Sequence, residues 1–295
     1  MKKIAGVDIG GTKIRFGVVS ESGEVVADWT VPTKIPLYPY LEEQILRIKR
    51  DFPDLSGIGI GTRGMVDAET GVITFEKELE GWQGTAVKSQ LEAATGLRVE
   101  INNDANCAAL AEARLGSAKG LRRVVCLTVG TWLGGGFVFG GKIMNGAHGG
   151  AGEVGHMILY PNGLLCGCGR KGCNEQYVSG TALRRLIQEE NVIDPNTGEL
   201  AMPQHLFRLA ADGVASAIAV RERFLSDFAI VISSLQAVLD MDCVVIGGGV
   251  SDSADDWWDL LLEKVESLKL KPLEMKRAVF GNDAGMLGAA MLIID

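Results

Sequence analysis

Three groups of residues in this sequence have the side-chain types and spacing that chemistry needs. The first is Asp8-Ile9-Gly10-Gly11-Thr12-Lys13. An acid precedes two glycines, a hydroxyl and an amine. Glycines let backbone N–H groups approach phosphate oxygens, and Lys13 adds a point charge. Asp8 has the chemistry to hold Mg2+ through water. An ordinary Gly-Gly hairpin accounts for the same residues. Taken alone it is the stronger account, because the segment is not a Walker A sequence. Gly130-Thr131-Trp132-Leu133-Gly134-Gly135-Gly136 repeats the pattern further along. Two such turns in equivalent places point to a nucleotide gripped from both sides. Gly247-Gly248-Gly249 follows an apolar run, and a third contact and a plain strand-to-helix turn explain it equally well.

The second group is Asn102-Asn103-Asp104, between an expected strand and an expected helix. One of the three caps the helix, and a cap needs only one. The surplus polar groups at the carboxyl end of a strand suit a ligand site in an α/β protein. Asp104 has the chemistry to accept a proton from a substrate hydroxyl.

The third group begins at Glu153-Val154-Gly155-His156, an acid and an imidazole on one face if the segment is helical. A surface Glu and a capping His are the plain alternative. Cys166, Cys168 and Cys173 follow, giving the pattern His-x9-Cys-x-Cys-x4-Cys. His156 with these three thiols is a Cys3His set, which suits a tetrahedral, structural Zn2+. A reduced or redox-active cysteine cluster is the alternative. Zinc is favoured, because four ligands leave no open position, and for the same reason the metal is not expected to do the chemistry. Cys107, Cys126 and Cys243 sit in apolar runs and are expected in the core.

These groups must be held by regular elements. Strands are expected at 3–9, 14–19 and 24–30, with turns at Gly10-Gly11 and Ser22-Gly23. A helix at 39–51, a strand at 57–61, a helix at 85–95 closed by Gly96, a strand at 98–101 and a helix at 105–115 follow. A second unit begins near Gly120, with strands at 123–129 and 135–139. Helices are expected at 180–190, 203–212, 213–240 and 254–268, a strand at 243–246, a last strand near 276–280 and a last helix at 284–293. Both units open with a strand, a Gly-rich turn and a strand, which is a weak internal repeat. Two such units imply a cleft, a common ligand site.

Composition bounds the function. The chain has 295 residues, 47% hydrophobic and 22% charged, which argues against a disordered chain or a fibre. Glycine, at 39 residues, is about 13% of the chain against a usual figure of about 7%. A net charge of −8 without a basic run argues against nucleic-acid binding. The first apolar residues meet Asp8 too soon for a secretory signal. The apolar stretch 224–239 is broken by polar residues and is no membrane span. The cytoplasm is therefore the expected location, and there six cysteines serve as thiols or metal ligands rather than disulfides.

Taken together, Asp8-Ile-Gly-Gly-Thr-Lys13, Asn103-Asp-Ala-Asn106, Gly130-Thr131 with Gly134–Gly136, Ala151-Gly-Glu-Val-Gly-His156, Cys166-Gly-Cys-Gly-Arg-Lys-Gly-Cys173 with Glu175, and Ser179-Gly180 resemble the ROK family of bacterial sugar kinases and sugar-responsive repressors. The resemblance runs from about residue 4 to the end. It implies an α/β fold of the two-domain ribonuclease-H-like, actin-like type, usually a homodimer. The first domain would be 1–118 with the C-terminal helix, about 284–295, packing back on it; the second would be 119–283, carrying the zinc loop.

By the same resemblance, Asp104 is the general base in phosphoryl transfer from ATP, with Mg2+, to a hexose or N-acylhexosamine. Asn103, Glu153, His156 and Glu175 hold sugar hydroxyls. Gly10, Gly11, Thr12, Lys13, Gly130 and Thr131 face the ATP phosphates, with Asp8 beside them, and Gly248 faces the adenosine side. Zinc orders the loop that presents Glu153, His156 and Glu175.

The sequence departs from the family pattern at three places. Arg63-Gly64 replaces Pro-Gly, Glu78 replaces an Asn before Leu-x-Gly-Trp82, and Trp132 replaces a Gly. Arg63, Gly64 and Glu78 fall where a sugar is contacted. Arg63 and Glu78 either pair with each other or turn to solvent. Trp132 either points away or hinders ATP, which leaves a catalytically weakened sugar-binding or regulatory protein as the alternative. Repressors of the family carry a helix-turn-helix domain before the Asp-Ile-Gly-Gly segment. Seven residues precede Asp8 here, so DNA binding is not expected.

Overall fold

The computed structural model describes residues 2–294. Its elements, in chain order, are β1 (Lys3–Ile9), β2 (Lys13–Ser20), β3 (Val25–Pro32), α1 (Leu37–Asp51), β4 (Leu55–Thr62), β5 (Met65–Asp67), β6 (Val72–Phe75), α2 (Val87–Thr95), β7 (Arg98–Asn103) and α3 (Asp104–Arg114). There follow β8 (Arg123–Val129), β9 (Leu133–Phe139), β10 (Lys142–Ile143), α4 (Gly180–Glu189), α5 (Leu206–Ala211), α6 (Ala215–Leu239), β11 (Cys243–Gly247), α7 (Trp258–Leu268), β12 (Glu274–Arg277) and α8 (Ala284–Met291). The chain forms two compact units. One takes the residues up to 126, then 136–152 and those from 279 onward; the other takes 127–135 and 153–278. By this grouping residues 119–126, 136–152 and 279–283 fall in the first unit, whereas the expected boundary had them in the second. Met1 and Asp295, included in the expected spans, lie outside the described residues.

The sheet of the first unit has the order β3-β2-β1-β4-β7. Its first three strands are antiparallel neighbours, and β1, β4 and β7 run parallel. Parallel strands put their carboxyl ends at one edge. In register, Asp8 lies beside Gly61 and Gly61 beside Asn102. The Gly10-Gly11 turn, Arg63-Gly64 and Asn103-Asp104 therefore all leave the sheet at the same end.

The two faces of this sheet are built differently, as the period of two in a strand allows. Ala5, Val7 and Ile9 of β1 and Ile58 and Ile60 of β4 join a buried cluster with Leu41 and Ile45 of α1 and Leu91 of α2. On β4 the alternate residues are Gly57, Gly59 and Gly61. They let α8 lie almost on the backbone: a Cβ on Gly59 would fall 1.7 Å from the carbonyl oxygen of Ala289. Likewise a Cβ on Gly288 of α8 would fall 1.7 Å from the Cys107 carbonyl oxygen of α3. The carboxylate of Glu112, buried on α3, accepts from the N–H groups of Val279 and Phe280 at 2.8 and 3.1 Å and so fixes the segment that leads into α8.

The second sheet has the order β10-β9-β8-β11-β12. In the second unit α6 packs against α5 and α7. Phe207 of α5 meets Phe224 of α6 and Trp257 at ring distances of 5.9 and 5.6 Å. Two expected helices start late. Residues 203–205 and 249–256 are 3-10 turns, and α5 and α7 begin after them. The second break has a local cause: Trp257 adopts φ −146 and ψ −9, outside the helical region. The last strand lies at 274–277 rather than 276–280, because it pairs in parallel with Cys243–Ile246 of β11. The β5–β6 hairpin has no counterpart among the expected elements. Among the described residues, no helix is long and apolar enough to cross a membrane.

Candidate active site

In the first unit, the site begins at the β1–β2 turn. The Gly10 N–H donates to the Lys13 carbonyl at 2.9 Å, and the Gly10 carbonyl accepts from the Thr33 hydroxyl at 2.9 Å. This leaves Gly11 and Thr12 at the tip, both exposed. Asp8 ends the buried part of β1. Burial, and then the charge of Asp104, push its carboxyl up from 3.8 to about 7, against the opposing pull of Lys13 and Arg15.

At the end of β7, Asn103 is the helix cap. Its side-chain oxygen accepts from the N–H groups of Ala105 and Asn106 at 2.9 and 3.2 Å. Its amide also donates to the Gly64 carbonyl at 3.0 Å, so one side chain both starts α3 and fixes the Arg63-Gly64 bend. Asn102 bonds Asn145 and Asn106, each at 2.9 Å. Asp104 is thus freed from capping Asn106 and stands as the first residue of α3, with one oxygen accepting from the Ala105 N–H at 2.8 Å.

Two further residues frame this edge. The Thr62 hydroxyl accepts from the indole N–H of Trp82 at 2.9 Å, with both residues fully buried. The carboxylate of Glu76 accepts from the N–H groups of Glu78 and Leu79 at 2.7 and 3.3 Å. Together they place Glu78 opposite Arg63, and the two pair at 2.7 Å. Of the two outcomes open for these side chains, pairing is the one observed. Burial works against the Arg63 charge, but Glu78, then Glu76 and Asp104, hold its guanidinium above its ordinary value.

In the second unit, a cavity of about 790 Å3 opens beside the β8–β9 turn. Gly130, Thr131, Gly180, Thr181, Gly249 and Ser253 are among its lining residues, and Leu183, Ile187 and Phe207 supply apolar wall. The amino terminus of α4 is tied to the turn: the Gly180 N–H donates to the Gly130 carbonyl at 2.7 Å and the Thr181 hydroxyl to the Thr131 carbonyl at 2.8 Å. Ser179 caps α4 through the Ala182 N–H at 3.0 Å. Gly248 does not line the cavity; its neighbour Gly249 does. Trp132 is half-exposed and is not part of the lining either. Thr181 and Ser253 are not among the residues expected at the site from the sequence. The Ser179-Gly180-Thr181 run carried a cap signal that placed Thr181 at a helix start, but nothing local marked Ser253.

The same unit holds the Cys3His set. The ligand atoms of His156, Cys166, Cys168 and Cys173 all lie within 4.8 Å of one another. The Cys168 and Cys173 sulfurs are 3.6 Å apart, and the Cys166 sulfur is 3.7 Å from Nδ1 of His156. A tetrahedron with Zn–S bonds of about 2.3 Å has edges of about 3.8 Å, so the donors fit zinc. None of the six cysteines is in a disulfide. Cys107, Cys126 and Cys243 are buried, as expected for core positions. With Nδ1 turned to the thiols, Nε2 of His156 faces Glu153 at 3.9 Å. Glu175 stands 3.9 Å from Nδ1 and 2.9 Å from the Cys166 sulfur. The metal set and the polar trio Glu153, His156 and Glu175 are therefore one structure.

Comparison with known proteins agrees with the resemblance. The pattern of the ROK family matches residues 4–295. A glucokinase of Streptomyces coelicolor is 33% identical over 97% of this chain and 96% of its own length. An N-acetyl-D-glucosamine kinase of Aliivibrio fischeri is 33% identical over 98% of each chain. A crystal structure of a ROK family glucokinase from Streptomyces griseus, in complex with glucose and AMPPNP, superposes with a TM-score of 0.79 at 32% identity, covering 98% of both chains. Fold and site define an α/β protein of the carbohydrate-kinase kind. The chain belongs to the ROK family.

Proposed function

We propose that this carbohydrate kinase transfers the γ-phosphoryl group of ATP to a hydroxyl of a neutral hexose or N-acylhexosamine, with Asp104 as general base. The observation that carries this reading is the common edge of β1, β4 and β7. It sets the Asp104 carboxylate among the carboxyl ends of the strands that carry the Gly10–Lys13 turn and the Asn103-held bend at Gly64. Phosphoryl transfer asks a protein mainly for positioning, electrostatics and a base.

Asp104 takes the proton of the attacking sugar hydroxyl, and Asn103, Glu153, Nε2 of His156 and Glu175 hold the other hydroxyls. Backbone N–H groups of Gly10, Gly11 and Thr12, the Lys13 amine, and Gly130 with Thr131 meet the phosphates. The cavity lined by Thr181, Gly249 and Ser253 takes the adenosine. The buried carboxyl of Asp8, with Asp104 charged beside it, has the donor chemistry for Mg2+ through water, and Mg2+ when bound offsets phosphate charge. His156, Cys166, Cys168 and Cys173 hold zinc, which when bound orders the loop bearing Glu153, His156 and Glu175. A homodimer belongs to the same reading.

The deciding experiment is ADP release from ATP and Mg2+ over a panel of hexoses and N-acylhexosamines, using zinc-replete protein. Turnover with one or more sugars is expected. No turnover with any of them sinks the proposal.

A further inference from the structure

Arg63 has surroundings that a solvent-facing loop residue does not need. Its backbone is clamped on both sides. Before it, the Thr62 hydroxyl donates to the Arg63 carbonyl at 3.3 Å and accepts from Trp82. After it, the Gly64 carbonyl is held by Asn103. The side chain is two-thirds covered, at 32% exposure, and reaches back over the β1–β2 turn. Its Nη1 lies 2.9 Å from where a Cβ on Gly11 would sit. Three carboxylates bear on the guanidinium: Glu78, Glu76 and Asp104. Glu76 is committed to the backbone of residues 78 and 79, so its position is fixed. Glu78 is 64% exposed and meets Arg63 through a single oxygen at 2.7 Å.

A structural ion pair is a weak explanation for this arrangement, since a partner that exposed contributes little to stability. A sugar contact is a second explanation. It suits Gly64, which faces Asn103, better than the guanidinium, which lies against Gly11. A planar fork of five donors that cannot lose its charge is matched to phosphate oxygens. Lys13 brings a point charge to the same turn but no such fork.

We propose that Arg63 is a second phosphate-facing cation of this site, a guanidinium that engages the transferred phosphoryl group beside the Gly10–Lys13 turn, and that Glu78 holds it there until the nucleotide arrives. The inference rests on the kinase reading above. In the step it serves, the sugar oxygen bonds to the γ-phosphorus and its proton passes to Asp104. The bond from that phosphorus to the bridging oxygen breaks, with the electron pair leaving on ADP. Arg63 gives and takes no proton; it donates hydrogen bonds to the non-bridging oxygens, where charge is spread in the transition state. Glu78 competes for the same donors, so arrival of the γ-phosphate displaces it.

The test is calorimetric binding of AMPPNP and of ADP, each with Mg2+, to the wild type and to R63A, R63K and E78A, with kcat and sugar KM measured alongside. A bond to the γ-phosphate predicts that R63A weakens AMPPNP by about tenfold or more and leaves ADP unchanged. The same variant loses about 10³ in kcat with little change in sugar KM. R63K keeps charge and bulk, and so guards against a folding artefact. It recovers part of the AMPPNP affinity but little of the rate, because an ammonium is not a fork. E78A binds AMPPNP more tightly than the wild type. Equal losses for ADP and AMPPNP in R63A, or a raised sugar KM with nucleotide binding intact, would overturn the proposal and leave the kinase reading standing. A wild type that binds neither nucleotide fails at the earlier reading, and Arg63 then has no phosphate to meet.

Discussion

The indole of Trp82 donates to the hydroxyl of Thr62 at 2.9 Å, deep in the first unit. This one bond joins the end of β4 to the loop that carries Glu76 and Glu78. Phenylalanine at 82 keeps most of the volume and removes the donor. W82F is expected to cost about 1–3 kcal/mol, the usual penalty for disrupting a buried hydrogen bond. Denaturant unfolding measures it, and an unchanged midpoint would show that the bond does not anchor the loop.

Asp104 separates two roles that a helix-start acid can play. Asn103, not Asp104, accepts from the N–H of Asn106, so the cap survives D104N. Turnover should fall by about 10²–10⁴, the range for loss of a general base. Sugar affinity, read by calorimetry, should stay within a few-fold. Loss of both together would make Asp104 a structural residue.

The Cys3His set predicts a firmly held zinc. Metal analysis of the purified protein should find zinc at close to one per chain. Chelation at denaturant concentrations below the unfolding transition should expose Cys166, Cys168 and Cys173 to a thiol reagent while the buried Cys107, Cys126 and Cys243 stay protected. C168S should lower both the zinc content and the sugar affinity, because His156 also belongs to the Glu153–Glu175 trio. Zinc-free protein with full sugar affinity would refute that coupling.

The raised carboxyl of Asp8 gives stability a pH dependence without nucleotide or Mg2+. Unfolded, the group titrates near 3.8; folded, near 7. Between these values the folded state holds a proton that the unfolded state has lost. The contribution to stability is therefore present in full below about pH 4 and drains away as pH rises to about 7, at no more than about 1.4 kcal/mol per pH unit. D8N does not titrate and should be less sensitive to pH over that window. Parallel stability curves for D8N and the wild type would remove the effect.

A methyl group on Gly288 would collide with the Cys107 carbonyl, a backbone atom that cannot turn aside. G288A should therefore destabilise by about 1–3 kcal/mol or more, the range for overpacking. A thermal melt checks it, and a melting temperature equal to that of the wild type would mean that α8 and α3 can part.

Much of the site could be read from the sequence because its signals are local. The Gly10-Gly11 turn, the Asn103-Asp104 helix start and the Cys3His spacing each lie within a few residues, where turn chemistry and ligand count speak directly. Other features depend on distant partners. The Asn102–Asn145 bond and the Glu112 contacts to Val279 and Phe280 join residues whose own neighbourhoods say nothing of each other. The β5–β6 hairpin leaves no mark in the sequence, because strands of three and four residues are too short to show a period. The grouping of 136–152 with the first unit depends on packing that no local pattern encodes. Alternation of Ile and Gly along β4 was visible in the sequence, but only α8 explains it.

That alternation also sets an order of events. β1 and β4 are synthesised well before α8, which packs on their glycine face. Until residues 284–291 have left the ribosome, the glycine side of β1 and β4 lacks the cover that α8 gives it and the first unit stays incomplete. A chain broken off within residues 153–278 never acquires that cover. Such fragments should be cleared by proteases rather than persist as half-built competitors for nucleotide or sugar.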